Sequence, residues 1–112
     1  MTLRTEKINE LIRQKLSQII SEEIELPPNT LVTITKAETS PDLKNSKIYI
    51  TVLPENFRGS TLKILDKNRH HLYQKLKTFL KTKFTPNLKF VIDEQEVFAA
   101  EVDKILDEIN KQ

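Results

Sequence analysis

The fold is decided by residues 31–53, which read LVTITKAETSPDLKNSKIYITVL. Residues 31–39 are rich in β-branched side chains, which favour a strand. Residues 40–42, Ser-Pro-Asp, predict a turn, because proline presets φ and short polar side chains bond the local backbone. Residues 46–53 then alternate as a half-buried strand, with Ile48, Ile50 and Val52 facing one way and Lys47, Tyr49 and Thr51 facing the other. The short connection predicts a β-hairpin.

An amphipathic helix is predicted before this hairpin. Apolar residues recur at helical spacing from Ile8 to Ile24, and Arg4, Lys7 and Arg13 belong to the polar side. Pro27-Pro28 is expected to end the helix, because proline lacks the N–H group and disfavours helix before it.

A second helical stretch is predicted after the hairpin and after a loop at Asn56–Thr61. Its apolar stripe consists of Leu62, Leu65, Leu72, Leu76, Phe79 and Leu80. The stripe has no apolar anchor between Leu65 and Leu72, and Asn68 favours caps and turns over helix interiors. We therefore expect a kink or break there, with two short helices instead of one long helix.

The rest of the chain predicts one more strand and one more helix. Leu88, Phe90 and Ile92 alternate with polar or exposed positions, and Asp93 with Glu96 has capping-box spacing before a last amphipathic helix. The predicted order is α-β-β-α-α-β-α. It indicates an α+β fold in which helices cover one face of a three-stranded sheet and the other face is open. At 112 residues, positions 1–112 are expected to form a single domain.

Composition excludes several classes of protein. The chain has no cysteine, so it can have no disulfide, thiol nucleophile or cysteine zinc site. Its single glycine, Gly59, rules out a glycine-rich phosphate loop. No apolar run approaches the ~18 residues of a membrane span, and the first residues lack a secretory apolar core, so a cytoplasmic location is expected.

Charge is strongly segregated along the sequence. Residues 58–89 contain nine basic side chains against Asp66 alone, whereas residues 93–112 contain seven acidic side chains against two lysines. A basic region this concentrated favours a polyanion, and nucleic acid is the natural one. The predicted phosphate contacts are Lys67, Arg69, Lys75, Lys77 and Lys81, with Arg58, Lys63 and His70 near the kink as secondary candidates. Arg4, Lys7 and Arg13 would extend this surface along the first helix. A basic face that only solvates a helix is the plainer interpretation.

Catalytic and metal chemistry have little support. His70 and His71 are adjacent, so on a helix they point about 100° apart and cannot easily share a metal. Neighbouring acids such as Glu22 and Glu23 are expected to be solvated surface, and no cofactor is indicated. Tyr49, on the polar side of its strand, could either stack a base or simply shield the sheet.

Two stretches resemble a known family. Thr39–Leu43 followed by Ser46–Leu53 is similar to the central strand–turn–strand segment of ribosome-binding factor A, and Thr85–Asp93 is similar to its later proline–strand–acidic segment. The resemblance implies a type II KH-like domain in a bacterial factor that binds the immature small ribosomal subunit. It further implies no enzymatic activity, assistance to maturation of small-subunit ribosomal RNA at its 5′ end, and importance for growth in the cold.

The chain departs from this family at the kink. The family builds its helix–kink–helix on Ala-x-Gly, whereas Asn68-Arg69-His70 stands here, so Asn68 would have to supply the break by capping the following helix. Alternatives remain: a protein–protein adaptor that uses the open sheet face or the acidic last helix, or a general single-strand RNA binder. A monomer whose partners are the immature small subunit and its ribosomal RNA, with no membrane or small-molecule substrate, is the interpretation that these observations favour.

Overall fold

A computed structural model describes residues 3–80 and 85–94, with side chains from Thr5 onward. Its helices are α1 (Leu3–Glu23), α2 (Arg58–Lys67) and α3 (Arg69–Phe79), and its strands are β1 (Leu31–Thr39), β2 (Asn45–Leu53) and β3 (Asn87–Ile92). A single 3-10 turn, Glu55–Phe57, leads into α2. The last predicted helix and residues 81–84 lie outside the described residues.

The three strands form one sheet in the order β1-β2-β3. The predicted hairpin is confirmed: β1 pairs antiparallel with β2, from Leu31 opposite Leu53 to Thr39 opposite Ser46. On its other side β2 pairs parallel with β3, in register from Asn45 with Asn87 to Ile50 with Ile92. A parallel pair needs a long crossover, which α2 and α3 provide.

A β-bulge at Thr35 explains how β1 meets the core. Ile34 pairs with Ile50 and Ala37 pairs with Ile48, so the register shifts between them. Ile34 and Ala37 are both buried although they are three positions apart, an odd spacing that a regular two-residue alternation would not allow. The bulge shifts the alternation of β1 by one residue, so that Ala37 in the second half of the strand also faces the core.

The predicted turn between β1 and β2 is held by side chains. The Ser40 hydroxyl donates to Asp42 Oδ1 at 2.5 Å, and the Lys44 N–H donates to the same oxygen at 3.0 Å. These bonds hold the pKa of Asp42 below its usual value, with the Ser40 hydrogen bond as the largest cause. Leu43 then takes a φ of 62°, which lets the chain reverse and buries this leucine.

All three helices pack on one face of the sheet. The buried core residues of α1 are Ile8, Ile12, Leu16, Ile19 and Ile20. Ile48, Ile50 and Val52 of β2 meet them from the sheet, as the alternation predicted. Leu88 and Phe90 complete the core from β3, whereas Lys47 and Lys89 point to the exposed side. The described elements therefore form the predicted α+β arrangement with an open sheet face.

Two details of the second helical stretch were wrong in the prediction. The loop assigned to Asn56–Thr61 is largely helical, because Thr61 and Leu65 are fully buried one turn apart and draw the first turn onto the sheet. Phe79 was assigned to the apolar stripe but is 39% exposed. It lies at the end of α3 against α1, with Lys15 Nζ 5.0 Å from its ring centroid.

Candidate nucleic-acid interface

The predicted break between two short helices is confirmed at Asn68, which has φ −97° and ψ 9°. Backbone hydrogen bonds still cross this position: the Asn68 N–H donates to the Ile64 carbonyl at 3.1 Å, and the Leu72 N–H donates to the Asn68 carbonyl at 2.9 Å. Leu65 and Leu72, two helical turns apart, are both fully buried. The junction therefore bends the helix pair without changing which face lies on the core.

Asn68 does not cap α3, which corrects the expectation from the sequence. Its side chain makes no capping bond to the helix that follows. Instead its Nδ2 donates to the Ile64 carbonyl at 2.7 Å, in the helix that precedes it. The backbone at Asn68 is close enough to helical that its side chain folds back over the previous turn, as side chains in helices do.

The side of the helix pair opposite the core carries a row of exposed basic residues. We define the basic ridge as Lys63, Lys67, His70 and Lys77, which follow one another at spacings of three, four or seven residues and are all exposed. The ridge runs across the junction. Within the described part of the chain, its members make no ion pair.

A groove lies beside this ridge, between the start of α3 and the start of β3. It has a volume of about 620 Å³ and is lined by Arg69, His70, Tyr73, Asn87 and Leu88. Arg69 is exposed and forms no ion pair with any described carboxylate. The groove thus combines a free guanidinium, an aromatic ring and an amide, a set that suits phosphate and base contacts.

Two predicted phosphate contacts already have carboxylate partners. Arg58 Nη2 lies 3.3 Å from Glu55 Oε2, and its side chain is only 28% exposed. Lys75 Nζ lies 3.6 Å from Glu23 Oε1, and His71 Nε2 lies 3.2 Å from the same oxygen. Glu23, expected to be solvated surface, is therefore a contact between the end of α1 and α3.

Among the basic residues of α1, Arg13 lies on the side of β1 and does not extend the ridge. Arg13 bonds to Glu10, and both line a depression that also contains Thr35 and Lys36 of β1. Lys15 and Glu23 contact α3 from the other side of α1. Lys7 is exposed. The side chain of Arg4 and the whole of Lys81 lie outside the described residues.

Tyr49 shields the open sheet face and is not free to stack a base. Lys36 Nζ lies 4.5 Å from its ring centroid, and the Tyr49 hydroxyl donates to Glu38 Oε2 at 3.1 Å. Burial first, and the Glu38 carboxylate second, raise the pKa of Tyr49. Both the ring and the hydroxyl are thus occupied by β1 side chains.

Neither a metal site nor a membrane span is found in the described residues. No group of three or more histidine, aspartate or glutamate side chains there could hold a metal ion. None of the described helices is long and apolar enough to cross a bilayer. The groove residues Tyr73 and Asn87 were not predicted from sequence, because only the packing of β3 beside α3 brings them together.

Known proteins are similar to this chain in both sequence and fold. The family profile described as ribosome-binding factor A matches residues 4–106. Ribosome-binding factor A of Macrococcus caseolyticus (strain JCSC5402) is 29% identical over 112 residues, which cover 99% of this chain and 98% of that protein.

Solved structures show the same architecture. A Thermotoga maritima protein described as a putative ribosome binding factor A has a TM-score of 0.68 at 22% identity, covering 80% of this chain and 86% of that one. The crystal structure of ribosome-binding factor A from Thermus thermophilus has a TM-score of 0.68 at 18% identity, covering 79% and 93%. These likenesses confirm the predicted α+β fold class. The profile match over nearly the whole chain confirms the resemblance seen in the sequence: this protein belongs to the ribosome-binding factor A family.

Proposed function

We propose that this protein binds the immature small ribosomal subunit and its ribosomal RNA, as an assembly factor. Family membership supports this role, and so does a structural relative. The Thermus thermophilus ribosome binding factor A, as fitted into a cryo-EM map of a 30S complex, has a TM-score of 0.64 at 19% identity, covering 74% of this chain and 88% of that one.

The observation that carries the proposal is the basic ridge beside the groove, whose members make no ion pair among the described residues. Lys63, Lys67, His70 and Lys77 are exposed on one side of two helices whose other side is anchored in the core. Arg69 adds a guanidinium at the groove that pairs with no described carboxylate. Cations held on rigid elements and without acidic partners can meet phosphates at little cost in lost ion pairs.

Phosphate contacts of this kind give affinity without reading a base sequence. Specificity then comes from the shape of a folded ribosomal RNA site that presents phosphates along the line of the ridge. Four such contacts would give a slope of log affinity against log salt of about −3, since each contact contributes roughly −0.7 to −0.9.

The proposed contacts are ranked by their present partners. Lys67, Arg69 and Lys77 come first because they are exposed and unpaired among the described residues. Lys63 and His70 extend the same surface. Lys75 and Arg58 come last, since RNA would have to compete with Glu23 and Glu55 for them. Lys81 stays a candidate from its place in the sequence.

The finer parts of the role are proposed from the family. They are assistance to processing of the 5′ end of small-subunit ribosomal RNA, importance for growth in the cold, a cytoplasmic location, and action as a single-domain monomer without catalysis. We expect cells that lack the protein to accumulate small-subunit RNA with an unprocessed 5′ end, most strongly at low temperature. Normal 5′ ends in such cells would contradict the processing role.

The ridge and the groove are tested together by removing charge from both. The triple variant Lys67→Gln, Arg69→Gln and Lys77→Gln keeps good helix formers at each position, so the fold should persist. We expect it to bind isolated small subunits at least 100-fold more weakly at about 100 mM salt, because three phosphate contacts are lost, each worth roughly 1–2 kcal/mol. Co-sedimentation with purified small subunits measures the loss.

Lys111→Gln is the control, because it removes one positive charge from the stretch 93–112, where seven acidic side chains outnumber two lysines. Its binding should match that of the wild-type protein. Unchanged binding by the triple variant would remove the ridge from the interface and favour a protein–protein adaptor. Equal affinity of the wild-type protein for unrelated single-stranded RNAs would instead favour a general RNA binder.

A further inference from the structure

Two lysines lie side by side on the open face of the sheet. Lys47 of β2 and Lys89 of β3 are register partners in the parallel pair, and both side chains are exposed. Neighbouring strands are about 4.8 Å apart, so the two side chains leave the sheet next to each other. Like charges placed directly across two strands are destabilising. Their juxtaposition is therefore a local cost to the fold.

The acidic side chain on the neighbouring strand does not neutralise this pair. Glu38 is the register partner of Lys47 on the other side, in β1. Its carboxylate, however, accepts the Tyr49 hydroxyl at 3.1 Å and lies 3.4 Å from Lys36 Nζ. Within the described residues, neither Lys47 nor Lys89 makes an ion pair. The pair is thus an exposed site of double positive charge.

This site is continuous with the groove beside the basic ridge. Asn87, the first residue of β3, lines that groove together with Arg69, His70 and Tyr73 of α3. Lys89 is two residues further along the same strand, on the same face as Asn87. Two residues of a strand span about 7 Å. Since β3 is an edge strand, no other described strand separates the groove from the open face at this point.

We propose that Lys47 and Lys89 bind phosphates of the same RNA that contacts the basic ridge, so that RNA passes from the groove around the start of β3 onto the open sheet face. This inference rests on the proposed function and extends its interface to a second side of the molecule. A bound phosphate would neutralise the like-charged pair, and Asn87 would mark the point where the RNA crosses from one side to the other.

RNA fits this site better than an acidic protein for two reasons. The pair presents mainly charge: the Tyr49 ring beside it is covered by Lys36, and the neighbouring Val91 is half-buried. The pair also adjoins a groove that already combines Arg69 with an amide and an aromatic ring. Phosphate backbone needs only charge and hydrogen-bond donors, whereas the core of a protein interface is depleted of charge.

The test is the salt dependence of binding to purified immature small subunits. We compare the wild-type protein with Lys47→Gln, Lys89→Gln and the double variant. Each lost phosphate contact should lower the slope of log affinity against log salt by roughly 0.7 to 0.9, so the double variant should lose about 1.4 to 1.8. Lys111→Gln, which removes one positive charge from the acidic stretch 93–112, should keep the wild-type slope.

Urea unfolding supplies the check on the fold. The double variant should be as stable as the wild-type protein or more stable, because the substitution relieves like-charge repulsion on an exposed face. A wild-type slope in the double variant would overturn the inference while leaving the proposed function intact. Loss of binding to subunits with unchanged binding to protein-free small-subunit RNA would also overturn it, since the pair would then contact a ribosomal protein. Failure of the wild-type protein to bind subunits would refute the proposed function itself.

Discussion

At the scale of single residues, Asn68 decides the shape of the interface. It occupies the place in the helical stripe between Leu65 and Leu72 where a core side chain is expected, and it is half-buried there. Its amide satisfies the Ile64 carbonyl instead of adding apolar contact. The sequence predicted a break because no apolar anchor is present. The sequence could not predict which group the Asn68 side chain bonds. Asparagine can either cap the helix that follows or donate to a carbonyl of the helix that precedes it.

Two substitutions distinguish these roles of Asn68. If it capped α3, aspartate would serve equally well, since both are good N-cap residues. Because its Nδ2 donates to Ile64, Asn68→Asp would place a carboxylate against a carbonyl oxygen near the end of α2, where negative charge is unfavourable. We expect Asn68→Asp to unfold at least about 1 kcal/mol more easily than Asn68→Ala in urea titrations at pH 7. Equal or greater stability of Asn68→Asp would contradict the observed geometry.

At the scale of elements, α1 and α3 lie against each other in opposite directions. Glu23 near the end of α1 contacts His71 and Lys75 early in α3, whereas Lys15 reaches Phe79 at the end of α3. Helical periodicity predicted each helix separately. This contact could not be predicted from the sequence, because Glu22 and Glu23 are neighbouring residues of the same type. Only the packing of the helices determines that Glu23 is the one that faces α3.

The ion pair between Glu23 and Lys75 also limits what Lys75 can contribute to RNA binding. In the variant Glu23→Gln the negative charge that holds Lys75 is removed, and Lys75 becomes free to meet a phosphate. The stability cost should be below about 1 kcal/mol, because the pair is partly exposed. We expect small-subunit binding to strengthen by less than tenfold, with a slightly steeper salt dependence. Weaker binding by a folded Glu23→Gln protein would show that RNA contacts do not compete with Glu23.

In the strands too, the local sequence predicts some features, whereas others depend on how the strands pair. The alternation of residues 46–53 correctly predicted which side of β2 is buried, because a two-residue period fixes both faces at once. In β1 the bulge at Thr35 interrupts that period, and no residue there requires a bulge by itself. The bulge follows from matching Ile34 and Ala37 to Ile50 and Ile48 across the hairpin.

At the scale of the whole molecule, the arrangement of layers creates the surfaces that function needs. Among the described residues, three helices cover one face of the sheet and none lies on the other, and the two-helix junction comes beside β3. The sequence predicted the elements and a basic region. It did not predict that β3 pairs parallel with β2, since the pairing depends on how the α2–α3 crossover returns the chain. The groove and the Lys47–Lys89 pair both depend on that pairing.

The proposed function requires the cations around the junction, which make no ion pair among the described residues, to bind the RNA of the small subunit. Sedimentation of the wild-type protein with isolated small subunits, large subunits and whole ribosomes across a salt series tests it most directly. We expect co-sedimentation with free small subunits, weakening by roughly 100-fold between about 50 and 200 mM salt if Lys63, Lys67, Arg69 and Lys77 each contact a phosphate. Absence from every ribosomal fraction at low salt, or binding to small subunits that salt does not weaken, would contradict it.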